Sequence, residues 1–302
     1  MDKEYLIVYN PISGNGIANK IISNLSKDLG ISKKLWEFKK TEYAGHAKEI
    51  CQTIDKYKYL IAVGGDGTFN EIINGLMLNK NELPVLGFLP GGTGNSVMHD
   101  LGGENYKNAI QNILNGKLNK IDILKLQFSD YIEYSLNIVG WGMVADINKL
   151  SEKLRFLGSS RYTLSSLYYV FKKKSRWGKI IIDGVEMKEN FLFILTSNTI
   201  HTGKGMKIAP NAKMNDGLLD IVMLKSDISM FNLLILLPQI FTGKHIHSKK
   251  IQYVQAKEIS IDPKEEETLN IDGEIKCKTP VKVSIIPQRL EIFSSNWFNY
   301  FS

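Results

Sequence analysis

The chain has 302 residues, 43% hydrophobic and 23% charged, a balance that suits a folded globular protein and excludes a disordered or collagen-like one. Its 38 basic against 31 acidic side chains leave a net charge of +7, which favours anionic partners such as nucleotide phosphates, acidic lipid head groups or nucleic acid without choosing among them. Two cysteines, Cys51 and Cys277, are too few for a disulfide scaffold and lack metal-ligand spacing, and the longest apolar run, Phe231 to Phe241, falls well short of the ~20 residues of a membrane helix. The N-terminus enters a strand-like run and does not read as a signal peptide, so the expectation is a cytoplasmic protein, at most peripheral to a membrane.

A first strand is expected over Tyr5–Tyr9, closing in Asn10-Pro11-Ile12-Ser13-Gly14 before Ile17, Ile21, Ile22 and Leu25 recur at helical spacing. Lys34–Phe38 reads as a second strand and Gly45–Thr53 as a helix. The apolar run Tyr59–Val63 enters Gly64-Gly65-Asp66-Gly67-Thr68, after which Ile72, Ile73 and Leu76 mark a helix. Val85–Leu89 repeats the plan and enters Pro90-Gly91-Gly92-Thr93-Gly94-Asn95. Three strand–loop–helix units predict an open α/β sheet whose C-terminal edge collects all three loops.

Beyond about Lys120 the texture changes. Strands are expected at Ile121–Phe128, Tyr134–Val139, Lys179–Ile182, Phe191–Thr196, Leu218–Leu224, Glu258–Ile261, Thr268–Ile271 and Val281–Ile286, with helical segments at Leu150–Lys174 and Ser226–Gly243. This predicts an α/β lobe at 1–122, with the tail 288–302 packing back on it, and a mainly antiparallel β-rich lobe at 123–287.

Glycine lets backbone approach phosphate oxygens, and helix N-termini supply unpaired N–H donors, so the three loops point to a nucleotide site. Any one of them alone reads more readily as a plain connection. Asp66 suits a magnesium ion or polarised water held against phosphates, and suits a cap for the following helix about as well. Neither a Gly-x-x-x-x-Gly-Lys-Ser/Thr loop nor a His-Arg-Asp loop occurs, and the five histidines show no zinc pattern.

Asn10 to Gly14, Gly64 to Glu71, Leu89 to Asn95, Gly203 to Asp220 and Ile271-Asp272-Gly273-Glu274 occur in one order along the chain. Together they resemble the diacylglycerol kinase catalytic-domain family, which includes bacterial lipid kinases, sphingosine kinases and ceramide kinases. Gly-Gly-Asp-Gly is shared with NAD kinases and phosphofructokinases. The run from Ala209-Pro210 through Asp216-Gly217-Leu218 to Asp220, and the late Asp272-Gly273-Glu274, are more specific to lipid kinases.

The resemblance implies a NAD kinase/diacylglycerol kinase-like α/β lobe and a β-rich lobe, with the active site in the cleft between them. It implies ATP-dependent phosphorylation of a lipid hydroxyl, of diacylglycerol or of a relative such as a sphingoid base or ceramide. Asn10, Pro11, Ile12, Ser13, Gly14, Thr41, Gly65, Asp66, Gly67, Thr68, Phe69, Asn70, Glu71 and Thr93 would surround ATP. A structural magnesium would take Lys213 and Leu218 through backbone carbonyls and Asp216 through its carboxylate. Glu274 would be the general base, with Asp272 close by and Asp66 completing the catalytic set. Without the resemblance, Asp272-Gly273-Glu274 reads as a hairpin turn.

One position departs from the pattern: many diacylglycerol kinases carry a second acid where this chain has Ser96, and sphingosine and ceramide kinases lack it too. Asp100, one helical turn on, could face the same way as Ser96 but reads more readily as a solvated helix acid. Membrane contact is expected from the aromatic and basic run Arg161–Trp177 and from Trp297-Phe298-Asn299-Tyr300-Phe301. A membrane lipid at an anionic bilayer and ATP are the expected partners, nucleic acid is not, and a homodimer stays open. A kinase of a soluble acceptor such as NAD, or a non-catalytic lipid-binding homologue, are the alternatives.

Overall fold

The computed structural model describes residues 3–92, 95–158, 160–203 and 205–294, without the side chains of Asn15 and Lys33. The chain divides into two units, Met1–Ile123 with the segment from Pro287 onward, and Leu124–Ile286.

In the first unit β1 (Tyr5–Tyr9), α1 (Ile17–Leu29), β2 (Trp36–Lys40), α2 (His46–Gln52), β3 (Tyr59–Gly64), α3 (Asp66–Leu78), β4 (Val85–Pro90), α4 (Ser96–Asp100) and α5 (Tyr106–Leu114) follow one another. The strands form a parallel sheet in the order β2-β1-β3-β4. Its register sets the strand ends side by side, Tyr9 against Lys40 and Val63, and Gly64 against Pro90, so every following loop leaves from the same edge. Helix α1 buries Ala18, Ile21, Leu25 and Leu29, one stripe at helical spacing, and stops at Gly30, whose φ of 65° closes the last turn. Phe69 of α3 meets Phe88 of β4 edge to face at 4.9 Å between centroids, a geometry worth ~0.5–1.5 kcal/mol beyond its area.

Strand β5 (Leu118–Gln127) leads into the second unit. There follow β6 (Ile132–Ser135), β7 (Ile138–Gly142), α6 (Met143–Lys153), α7 (Ser160–Lys172), β8 (Arg176–Ile182) and β9 (Val185–Ser197). A short antiparallel pair, β10 (His201–Thr202) and β11 (Met206–Lys207), precedes β12 (Leu219–Lys225), α8 (Met230–Gln239), β13 (Ile251–Ala256) and β14 (Glu258–Pro263). The unit ends with β15 (Thr268–Ile271), β16 (Glu274–Lys278) and the first part of β17 (Val281–Phe293). Pairing within it is antiparallel. Strand β12 shows how the layers form: Leu219, Ile221 and Met223 enter a core among strands, with Trp141 fully buried in it, while Val222 and Leu224 enter a second core closed by Val170 of α7 and Leu233 and Leu236 of α8.

Several expected elements change. Tyr134–Val139 is two strands separated by a turn, the helical run 150–174 is divided among the end of α6, which begins at Met143 and stops at Lys153, a short helical turn Arg155–Leu157 closed by Gly158 (φ 57°), and α7, and the second helical segment contracts to Met230–Gln239. The last strand extends to Phe293, and Ile292 pairs with Leu86 of β4. The aromatic tail from Trp297 to Phe301 lies outside the described residues.

Candidate active site

The three glycine loops of the first unit meet at the shared strand edge. Asn10 N donates to Val63 O at 3.1 Å, and Gly91 N donates to Gly64 O at 2.6 Å. The backbones approach so closely that side chains do not fit between them. A Cβ on Gly14, whose φ is +58°, would stand 2.2 Å from the Gly91 carbonyl oxygen, and one on Gly92 would stand 2.6 Å from the Gly65 Cα. Asn10 Oδ1 turns the first loop by accepting from Ile12 N at 3.1 Å, leaving Ile12 exposed ahead of the short helical turn Ser13–Gly16. Pro11 O holds that loop to α1 by accepting from Asn19 Nδ2. Thr41 is buried at the end of β2, and its N–H donates to Tyr9 O at 2.9 Å.

Asp66 opens α3, whose N-cap Gly65 has no side chain to satisfy the first turn. The Asp66 carboxylate ties two loops together. Its Oδ2 accepts from Ser96 N at 3.0 Å, joining the second loop to the start of α4. Ser96 therefore stands beside Asp66 and is buried. Asp100 is fully buried, which corrects its reading as a solvated helix acid.

The other residues grouped around the second loop serve different ends. Phe69 lies in the core and offers the site only its backbone, while Thr68 and Asn70 are buried beside it. Glu71 accepts from Gly45 N at 2.9 Å and Ala47 N at 3.2 Å, fixing the entry to α2 with its negative charge at that helix's positive end. Thr93 lies outside the described residues.

In the second unit Asp272 and Glu274 part company. Asp272, with φ of 51°, heads the β15–β16 turn and is buried. Its Oδ1 accepts from Ser135 Oγ at 2.6 Å and from Asn137 N and Ile138 N at 3.0 Å, while Oδ2 accepts from Leu136 N at 3.1 Å. This carboxylate is what breaks the expected Tyr134–Val139 strand, because the backbone between β6 and β7 wraps around it. Asn270 Oδ1 accepts from Gly273 N at 3.0 Å, and Asn148 Nδ2 of α6 donates to Gly273 O, so the turn is held on both sides.

Glu274, next along, keeps half of its side chain exposed, with Oε2 at 3.8 Å from Lys276 Nζ. Burial alone would depress the Lys276 ammonium, but its hydrogen bond to Glu133 and the charges of Asp272 and Glu274 carry its pKa above the usual value. A positive charge thus stays beside Glu274.

The Lys213–Asp220 segment carries two acids, Asp216 and Asp220. Asp216 Oδ1 accepts from Leu218 N at 3.1 Å, and burial raises its pKa. Asp220 is fully buried, with Oδ1 accepting from Tyr253 OH and from Gln255 Nε2 at 3.1 Å, while Oδ2 is buried without a hydrogen-bond donor. Burial pushes the Asp220 carboxyl up to about 6, with the nearby Asp216 adding to the rise. The unsatisfied buried oxygen of Asp220, with Asp216 exposed four residues before it, suits a hard divalent cation. Among the described residues no three His, Cys, Asp or Glu side chains gather, so a cation here would rely on backbone carbonyls as well.

The residues that hold the turn, Ser135, Asn148 and Asn270, and Tyr253 beside Asp220, carried no signal in the sequence. They are ordinary polar residues far from the motifs along the chain, and only folding brings them in.

The family model described as the diacylglycerol kinase catalytic domain matches residues 4–126, and that of the YegS C-terminal NAD kinase beta sandwich-like domain matches residues 137–294. A diacylglycerol kinase of Bacillus subtilis (strain 168) is 29% identical over 278 residues, covering 90% of each chain. Sphingosine kinase 1 of Arabidopsis thaliana is 26% identical over 336 residues, covering 91% of this chain and 69% of its own. The solved structure of a diacylglycerol kinase candidate from Bacillus anthracis str. Sterne superposes with a TM-score of 0.80 at 26% identity, covering 97% of this chain and 98% of that one. With an α/β unit whose glycine loops converge and a β-rich unit matched over its length, the chain belongs to the diacylglycerol kinase catalytic-domain family of kinases.

Proposed function

We propose that the protein transfers the γ-phosphoryl group of ATP to the hydroxyl of a membrane lipid, diacylglycerol or a related single-hydroxyl lipid such as a sphingoid base or ceramide. The observation that carries this reading is the division of labour at the β15–β16 turn. Asp272 is consumed by three backbone N–H groups and a hydroxyl, which leaves the accessible Glu274 as the group able to accept a proton.

In this mechanism the backbone of the converging loops and the first turn of α3 receive the phosphates of ATP, with Asn10 to Gly14, Thr41 and Gly65 to Thr68 around them. Glu274 takes the proton as the acceptor oxygen attacks the γ-phosphorus, and the bond to the β-phosphate oxygen breaks to release ADP. Asp272 positions Glu274. Asp66 would hold magnesium, or water polarised by it, where it neutralises charge growing on the phosphates. Lys213 and Leu218 through their carbonyls and Asp216 through its carboxylate would hold a second, structural cation.

That last assignment predicts a stability effect. Asp216→Ala should lower both thermal stability and activity, and added magnesium should raise the melting temperature of the parent far more than that of the variant. Equal magnesium responses would remove the cation from this segment. The acceptor class is tested by incubating the protein with labelled ATP and total lipid and identifying the product by mass spectrometry. The reading predicts a phosphorylated lipid, and label found only on NAD would replace it with a soluble acceptor.

A further inference from the structure

We infer that Lys276 is a positioning residue for the general base: its ammonium, anchored by Glu133, holds Glu274 in place and in its ionised form. This rests on reading Glu274 as the group that takes the acceptor's proton. Cross-strand pairing decides where the two side chains lie. In the β15–β16 ladder Glu274 stands opposite Ile271 and Lys276 opposite Leu269. Opposite residues of an antiparallel pair share a face, and Ile271 and Leu269 are fully buried in the core among strands. Glu274 and Lys276 therefore share the core-facing side of β16, where 53% of the Glu274 side chain but only 24% of the Lys276 side chain is exposed. A lysine so placed needs a partner. Strand β6 supplies it: Glu133 Oε1 accepts from Lys276 Nζ at 2.8 Å, and the Glu133 side chain is itself largely covered.

An ion pair in such a place adds little to stability, because desolvation offsets most of the attraction. Its effect falls on Glu274. The same ammonium stands 3.8 Å from Glu274 Oε2, a distance at which a unit charge favours the carboxylate, the form a base must have before it accepts a proton. Lys276 itself exchanges no proton. Burial would depress its ammonium, but Glu133, Asp272 and Glu274 carry its pKa above the usual value, so it stays charged while Glu274 titrates. The other charges around β16 do not replace it. Asp272 and Glu133 are acids and oppose ionisation of Glu274, and Lys278 is paired with Glu266. Helix α6, tied to the turn by Asn148, has Asp146 engaged with Arg176 and Glu152 with Arg155 and Arg161, while its Lys149 and Lys153 are exposed.

The test reads Glu274 directly and does not depend on catalysis. In the full chain the Glu274 carboxyl carbon is titrated by NMR, its resonance identified by its absence from Glu274→Gln, beside Lys276→Met, Lys276→Arg and the double variant Lys276→Met/Glu133→Gln. Lys276→Met should move the Glu274 midpoint up by roughly one pH unit at low salt, and by less at high salt. Lys276→Arg should keep the parent's midpoint. The double variant leaves no covered acid without its cation, so it repairs any damage that is merely structural, and its midpoint should still be raised. Kinetics with a detergent-dispersed diacylglycerol should follow: kcat of Lys276→Met falls roughly tenfold on the acid side of its pH profile and recovers at high pH, with KM for ATP unchanged. A midpoint unmoved in Lys276→Met, or a double variant that titrates like the parent, would overturn the inference. If the midpoints move as expected while Glu274→Gln keeps its turnover, the pairing is upheld and the reading of Glu274 as the base is what fails.

Discussion

Replacing Asp66 with Asn is expected to lower turnover by roughly 10²–10³-fold, the range seen when one preorganised electrostatic group is lost from a reacting centre. The substitution keeps the shape, and the amide oxygen can still accept from Ser96 N, so the joint between the second loop and α4 survives. What disappears is the negative charge that would hold magnesium or its water at the phosphates. Thermal unfolding should therefore stay close to the parent's while steady-state turnover collapses. A variant with near-normal turnover would return Asp66 to a structural role at the loop junction.

The second large effect separates Glu274 from Asp272. Glu274→Gln removes a half-exposed proton acceptor and should reduce kcat by roughly 10²–10⁴-fold with the ATP dissociation constant nearly unchanged. Its folding should be unaffected. Asp272→Asn acts through the fold. An amide oxygen in place of Oδ1 can keep Ser135, Asn137 and Ile138, but the amide nitrogen then faces Leu136 N, donor against donor. A buried unpaired N–H costs about 1–3 kcal/mol, so this variant should melt below the parent and lose turnover with it. Calorimetry and saturating-lipid kinetics on both variants decide the matter. If Glu274→Gln keeps its turnover while Asp272→Asn folds normally and loses its own, the base is Asp272.

The first unit was nearly legible in the sequence because its signals are local. An apolar run, a glycine-rich turn and a helical stripe each identify an element within a dozen residues, and the parallel register then aligns the strand ends without further information. Helix stops are less well written. The break between α6 and α7 lies in a run that keeps helical periodicity on both sides, and it is made by the stop of α6 at Lys153 and by the positive φ of Gly158 after the short turn Arg155–Leu157.

The second unit shows where sequence reading ran out. Residues 134–139 alternate as one strand would, yet the carboxylate of Asp272, more than a hundred residues away, draws their N–H groups into a turn. Strand β13 was missed because its Gln252 and Gln255 leave little apolar pattern, and β16 because its five residues Glu274–Lys278 alternate three charged side chains with only Ile275 and Cys277. Arg176 read as a surface cation, whereas Glu267 and Asp146 bury it as an ion network whose partners lie 91 and 30 residues away in the chain. In each case the deciding interaction joins groups distant in sequence, so no local pattern records it.

The most direct test of the account is a phase-partition assay in which γ-labelled ATP is incubated with diacylglycerol-containing vesicles, with NAD present as a competing soluble acceptor, using the parent and Glu274→Gln in parallel. The account predicts label in the organic phase for the parent and almost none for the variant. Label confined to the aqueous phase as phosphorylated NAD, or equal organic-phase label from both proteins, would contradict it.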